Sequence, residues 1–485
     1  MTRRCGSWLL AGVVVGAAAL GPGGTAAAAP ATPRNVAVTC VDDSASDFDG
    51  DGALDLAIGV PSEDRGKTAG AGAVEIRHPC NNHPTQALVL PVAHAHDGFG
   101  SALGFGSLND DSYLDLAVGV PGLDVAGQRD AGGVAVFYGS AKGLRYAKTL
   151  TQNSAHVAGS VQAHARFGQT IAIETYAPDR TATLRVGEPG RTVAGQEGAG
   201  GVVDYDLRHG RVLTKTSRQI TLDTPGIPGS PHTGDAMGAA LYSDYEVGIP
   251  NRTVRGAAGA GAVLITTTLG RATLLTQASP GMPGTPEPGD HFGASLAQDW
   301  FGAPGESVGS IANAGVVERP SSDPSERVSL TQHDADPSQV VEAGDRFGAA
   351  LTETGFLVDD TEWRGRQLYI GAPGQDVAGH ADVGTVSVVG ESYDPDGDPF
   401  VLGARFGELG GRDAVTGGHF GAVLARVGLG TVQVGAPDAL GGRLSLYGAP
   451  EDSQSLPGLV TTYAQRAGKP ETGDRYGGAV ALGPV

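Results

Sequence analysis

Basic residues are scarce in this 485-residue chain: 33 lysines and arginines stand against 53 aspartates and glutamates, a net charge of −20. A surface of that sign repels nucleic acid and anionic lipid, and it suits divalent cations or a basic partner. Long apolar runs are missing as well. The longest, residues 8–20, falls short of the roughly 18 residues that a membrane-spanning helix needs, so no span is expected. Helical periodicity over any length is absent, and cysteine occurs only three times.

What the N-terminus does contain is the pattern of an export leader. Arg3 and Arg4 precede the apolar stretch, and small residues follow at Thr25-Ala26-Ala27-Ala28-Ala29-Pro30-Ala31. Residues 1–31 are expected to be a cleaved signal peptide, by a general or a twin-arginine route, leaving 32–485 as one secreted extracellular domain. Loss of Arg3 and Arg4 takes the charge from −20 to −22. Cys40 and Cys80 then remain; in an oxidising compartment they read as one disulfide, two free thiols being the alternative.

Glycine (78 residues) and proline (30) make up roughly a fifth of the chain, below the roughly 25–30% that marks low complexity. They are placed periodically. One element is an aromatic-glycine pair, usually introduced by Gly-Asp. It occurs as Asp97-Gly98-Phe99-Gly100, Ala165-Arg166-Phe167-Gly168, Asp235-Ala236-Met237-Gly238, Asp290-His291-Phe292-Gly293, Asp345-Arg346-Phe347-Gly348, His419-Phe420-Gly421 and Asp474-Arg475-Tyr476-Gly477. The other is a short alternating strand ending in Gly-x-Pro, with its glycine at 59, 119, 187, 248, 302, 371 and 435. Each element is counted seven times. Spacings of 54 to 69 residues between Gly-x-Pro elements suit a four-stranded antiparallel sheet per repeat.

The order of the elements bears on topology. The chain begins with an unaccompanied Gly-x-Pro half and ends, from Thr472 to Val485, with an unaccompanied aromatic-glycine half. Joined in one sheet, the two fragments close a ring and leave no open edge there. The expected fold is all-β: a seven-bladed β-propeller, closed by the C-terminal strand joining the N-terminal blade. An extra Arg405-Phe406-Gly407 leaves the register before the last full repeat ambiguous.

These elements resemble the FG-GAP repeats of integrin α-chain propellers and of many secreted bacterial proteins. The resemblance extends over about 42–485 and is strongest in the first two repeats. It bears directly on Asp47-Phe48-Asp49-Gly50-Asp51-Gly52-Ala53-Leu54-Asp55. Carboxylates at Asp47, Asp49, Asp51 and Asp55 with the Ala53 carbonyl suit a hard cation that takes six to eight oxygens, and Gly52 permits the sharp turn. The loop matches the calcium loop of FG-GAP repeats position by position, which implies a Ca2+ cofactor; an acidic surface turn is the alternative. A second, weaker loop keeps Asn109, Asp111 and Asp115, with Ser107 and Ser112 in poor places. The acidic run Asp394 to Asp398 reads as a plain turn.

Motifs for catalysis are thin. Gly305-Glu306-Ser307-Val308-Gly309 matches G-x-S-x-G, but no helix pattern follows it, as a nucleophile elbow requires. The histidines are scattered, and the repeated Gly-Asp-x-Phe-Gly units read as turn formers. The expectation is a monomeric, non-catalytic extracellular binding or adhesion module with a protein or glycan partner. The insertions around 353–366 and 392–417 are its candidate recognition loops. The resemblance implies partner contacts on the face opposite the calcium loops. The alternative is a secreted polysaccharide lyase or hydrolase, recognisable by His, Tyr and Arg converging on one mouth of the central channel.

Overall fold

The computed structural model describes residues 46–482 except 80–82, 110, 177–180, 207–216, 244, 267–270, 325, 338, 360–361, 393–404, 411–415, 429–430, 440–441, 449–457 and 465–477. All the described residues belong to the compact unit Val36–Val485. They form seven four-stranded blades, and the only helix among them is the single turn Gln332–Ala335. Blades 2 to 7 occupy residues 103–150, 170–220, 240–275, 295–330, 350–410 and 423–464. Blade 1 joins Leu56–Val60, Ala73–Arg77 and Gln86–Leu88 to the last strand of the chain, Ala479–Leu482.

That last strand makes the closure. It pairs antiparallel with the first strand, Ile58 facing Val480 and Gly59 facing Ala479. Its other edge runs parallel to the inner strand of blade 2 through Ala481–Leu103 and Leu482–Gly104. The expected ring therefore forms.

Apolar packing repeats the same circle. Each sheet alternates its side chains between two faces, and each face meets the next blade in a buried cluster. Blades 1 and 2 share Val74, Ile76, Phe99 and Phe105, and blades 3 and 4 share Val202, Met237 and Leu264. The last of seven such clusters packs Leu56, Ile58 and Val60 of blade 1 against Ala425, Val427, Leu444 and Leu446 of blade 7. Met237 fills the aromatic position of blade 4 with no exposure, since a flexible thioether fits the same pocket.

Glycine sets the distance between blades. The N–H of Gly100, after the aromatic, donates to the carbonyl of Gly119 in its own blade (3.0 Å). The Gly100 carbonyl in turn lies 2.2 Å from where a Cβ on Gly59 of the previous blade would stand. The same approach, 2.0–2.3 Å, recurs for Gly119 on Gly168, Gly187 on Gly238, Gly248 on Gly293, Gly302 on Gly348 and Gly371 on Gly421. No real Cβ fits there. The aspartates of the Gly-Asp-x-Phe-Gly units cap the same turns. Asp235 accepts from the His232 N–H (2.9 Å) and Asp345 from the Glu342 N–H (2.6 Å).

Two sequence ambiguities resolve here. Arg405-Phe406-Gly407 lies within Arg405–Gly410, the outer strand of blade 6, and His419-Phe420-Gly421 opens blade 7. The Gly-Asp-Arg-Tyr-Gly unit at 473–477, the run 394–398, and both Cys40 and Cys80 lie outside the described residues.

Gly119→Ala places a methyl against the Gly168 carbonyl, which the inter-blade contact holds in place. The expected loss is about 1–3 kcal/mol, read as a lower urea midpoint at unchanged slope; a neutral result would remove the glycine constraint from the ring.

Candidate functional site

Strands alternate direction, so each blade exposes two kinds of connection. Gly-x-Pro and aromatic-glycine turns lie at one end. The loop joining the first and second strands and the loop joining the third and fourth lie at the other. The acidic loop 47–55 belongs to the second end and leads into Leu56–Val60.

Its first turn is ordered by its own carboxylates. Asp47 accepts from the N–H groups of Gly50 (2.6 Å) and Gly52 (2.9 Å), and Asp51 Oδ1 accepts from the Ala53 N–H (2.8 Å). Asp55 is fully buried and accepts from the Phe48 N–H (2.9 Å). Phe48, also buried, meets Phe105 of blade 2 edge-on at 5.9 Å, and its carbonyl accepts from the Ser140 N–H (3.2 Å). The loop is thus pinned to blades 1 and 2 together.

Carboxylate oxygens of Asp47, Asp49 and Asp55 lie within 4.8 Å of one another. Asp51 is turned outward, and its Oδ2 sits 3.6 Å from His83 Nδ1. Three like charges that close are unfavourable unless something positive offsets them; the imidazoles of His78 and His83 lie within the same reach of Asp49, and the oxygens on the glycine-containing turn also fit a hard divalent ion. Burial pushes the Asp55 carboxyl up, against the effect of its 2.6 Å bond to His78 Nδ1. The same bond raises His78.

His78 and His83 were not foreseen as site residues. His78 ends the third strand, where blade 2 has Gly139, and only the aligned blades bring it to the loop. His83 Nδ1 lies 3.0 Å from Asp49 Oδ2.

The second loop adds neutral donors to its buried acid. Asp115 accepts from the Leu108 N–H (2.8 Å), as Asp55 does from Phe48, and from the Gly139 N–H (3.0 Å). Asn109 Nδ2 donates to its Oδ1 (3.2 Å). Asp111 accepts from the Tyr113 N–H (3.0 Å) rather than facing Asp115. Ser107 bonds the Asn109 carbonyl (3.0 Å). An amide N–H stands where the first loop has the Asp49 carboxylate, so the second loop is a poorer fit to a metal.

A polar contact links the inner strands of two blades that are not neighbours. Tyr242 of blade 4 donates to Glu353 Oε1 of blade 6 (3.1 Å), and Arg366 lies 3.9 Å from Glu353 Oε2. Glu246, on the next strand of blade 4, is buried with Oε2 unpaired; burial, then the charge of Asp299, pushes its carboxyl up to about 8. The G-x-S-x-G segment forms a tight turn, Val308 and Ile311 exchanging backbone bonds of 3.0 and 3.1 Å, with no helix to present Ser307.

These elements can now be compared with known proteins. Residues 43–74 match the FG-GAP repeat family. The FG-GAP repeat thus matched contains the whole acidic loop and the first Gly-x-Pro strand. The chain is also 32% identical over 107 residues to phosphatidylinositol-glycan-specific phospholipase D of Rattus norvegicus, covering 22% of this chain and 12% of the rat protein. So small a share of that protein leaves its activity its own.

Glu246 gives a signed pH dependence. Its folded value of about 8 exceeds the unfolded value of about 4.3. The fold therefore holds a proton the open chain has lost, and stability falls as pH rises through that window. Glu246→Gln removes this slope: the variant is expected to be more stable than the parent at pH 9, by on the order of a few kcal/mol, and equal to it at pH 4. Denaturation curves at both pH values decide; parallel pH profiles refute the assignment.

Proposed function

We propose that this protein is an exported binding module. Calcium held in the loop 47–55 stiffens the closing blade, and a long hairpin of blade 6 meets a protein or glycan partner. The reading of export rests on the leader-like residues 1–31. The calcium reading rests on the FG-GAP match and on the clustered oxygens of Asp47, Asp49 and Asp55. Asp51 and the Ala53 carbonyl would complete the set, the ion supplying charge neutralisation and no chemistry.

The observation that carries the binding role is the hairpin Ala350–Asp359 with Glu362–Ala372. Its strands run ten and eleven residues, paired to the tip at Asp359–Glu362, where the same pair in blade 5 has three and four. At about 3.3 Å per residue it reaches roughly 20 Å further along the strand direction. The sequence of the extension includes Phe356 and Trp363, residue types enriched at partner interfaces, and its backbone sets Leu357 opposite Trp363. It rises at the end that carries the acidic loop, so the expected separation of metal and recognition faces does not hold for this insertion. The hydrolase or lyase alternative is less well supported: the Tyr242–Glu353 contact is inward, mutually bonded and without histidine.

Two measurements test the reading. Millimolar Ca2+ is expected to raise the melting temperature, with an affinity of roughly 0.1–1 mM, and Asp49→Ala with Asp51→Ala to abolish the rise; an undiminished rise sinks the loop assignment. Replacing residues 356–365 by Asn-Gly is expected to leave the melting temperature within a few degrees of the parent while eliminating hits on a glycan array or a panel of extracellular proteins. Hits that survive the shortening move recognition elsewhere.

A further inference from the structure

The Gly-x-Pro turns carry a second electrostatic pattern at the other end of the ring. Two residues after the proline, blades 3 and 4 place an arginine. Arg191 Nη1 donates to Glu188 Oε2 (3.2 Å), the Ser160 carbonyl (3.1 Å) and Gln152 Oε1 (3.4 Å). Arg252 Nη1 donates to Asp235 Oδ2 (2.8 Å) and the Ser230 carbonyl (3.1 Å). In each blade a guanidinium fills the notch against the preceding blade and neutralises the buried acid there.

Blade 5 reverses the charge. Its turn reads Gly302-Ala303-Pro304-Gly305-Glu306, so a carboxylate takes the arginine's place. The acceptors around it are kept. Asp290 is the counterpart of Asp235, and Gln277 is the counterpart of Gln152. Carboxylate oxygens of Glu287, Asp290 and Glu306 lie within 4.8 Å of one another. Gln277 Nε2 donates to Glu306 Oε2 (2.8 Å) and to Glu318 Oε1 (3.4 Å). Gln277 is 3% exposed and Glu318 1%, yet Gln277 Oε1 and Glu318 Oε2 have no hydrogen-bond partner. The orphaned amide oxygen is the one that receives the guanidinium in blade 3. Among the described residues no lysine or arginine bonds to any of these groups, and the nearby His291 turns its Nδ1 to the Pro250 carbonyl (3.2 Å).

We propose that this notch between blades 4 and 5 is a divalent-cation site, Ca2+ by its chemistry, held by Glu287, Asp290 and Glu306 with Gln277 Oε1 and Glu318 completing the shell. Every donor is oxygen, which selects a hard ion over zinc or copper. Mixed carboxylate and amide donors at irregular positions suit the flexible coordination of calcium better than the strict octahedron of magnesium. The ion stands where two other blades hold a guanidinium, and it gives the orphaned oxygens a partner. Because Gly-x-Pro turns and the loop 47–55 lie at opposite ends of the strands, the two sites are separate.

The test is calorimetric titration of Ca2+ at pH 8.5 into the full chain carrying Asp49→Ala and Asp51→Ala, and into the same protein with Glu306→Arg added. The expected result is a binding event in the first protein that weakens by about tenfold or more in the second, since calcium affinity follows the charge count of the ligands. The arginine variant is also expected to keep or raise its melting temperature in EGTA, since it restores the arrangement of blades 3 and 4. If Glu306→Arg does not fold, Glu306→Gln gives the same reading by loss of one charged ligand. No binding in the loop-deficient protein, or binding indifferent to both Glu306 variants, overturns the proposal and leaves the cluster as proton-sharing carboxyls.

Discussion

At six blade junctions among the described residues, one blade is spaced from the next by a backbone carbonyl resting on a glycine Cα. The Gly100 N–H bonds the Gly119 carbonyl, Gly119 in turn receives the Gly168 carbonyl against its bare Cα, and the Gly168 N–H bonds the Gly187 carbonyl. Hydrogen bond and van der Waals contact alternate from blade to blade. Close approach of this kind lets the buried aromatics Phe99, Phe167, Phe292 and Phe347 fill the space beside it completely. A methyl at any glycine of the series would force the sheets apart and leave those rings underpacked. The repeated glycines of the two sequence elements are therefore two sides of one contact.

That contact explains why the architecture was legible in the sequence. A backbone-to-backbone approach tolerates only glycine, so the pattern survives where the aromatic drifts to Met237 and where only a dozen residues separate the elements of blade 4. The split repeat at the chain ends was legible for a similar reason: a Gly-x-Pro strand needs an inner strand beside it, and only Ala479–Leu482 could supply it. What depended on side chains converging from distant positions was not legible. His78 and Asp55 are 23 positions apart and meet only because the third strand returns to the loop end. The donation from the Asn109 amide to Asp115, six positions on, was likewise not visible in the sequence. The acid cluster was hidden because Glu306 lay inside a motif that invited comparison with hydrolases rather than with Arg191 and Arg252.

The same difficulty, carboxylates gathered at a blade junction, is met differently around the circle. Guanidinium groups serve blades 3 and 4, an amide donor serves the loop of blade 2, and backbone N–H groups cap the aspartates of the turns. Among the described residues, neither the loop 47–55 nor the notch at Glu306 has a lysine or arginine on its clustered oxygens, though His78, raised by its 2.6 Å bond to Asp55, meets the loop from within. His83 approaches Asp49 from an exposed position, where such pairs contribute little. An acidic protein has few arginines to spend in this way, which makes bound cations the natural complement to a net charge of −20.

Closure is where a cation held as proposed would act with most leverage. Among the described residues, the last strand holds blade 1 through two paired residues on one edge and two on the other. The remaining hold comes from the apolar cluster between blades 7 and 1, built on Leu56, Ile58 and Val60. These three residues continue directly from Asp55, and Phe48 ties the same loop into the core of blade 2. Whatever orders the loop also orders the strand on which both the cluster and the closing pair depend. A ring opens at its weakest junction, so a local electrostatic contribution at 47–55 acts on the stability of the whole circle rather than of one loop.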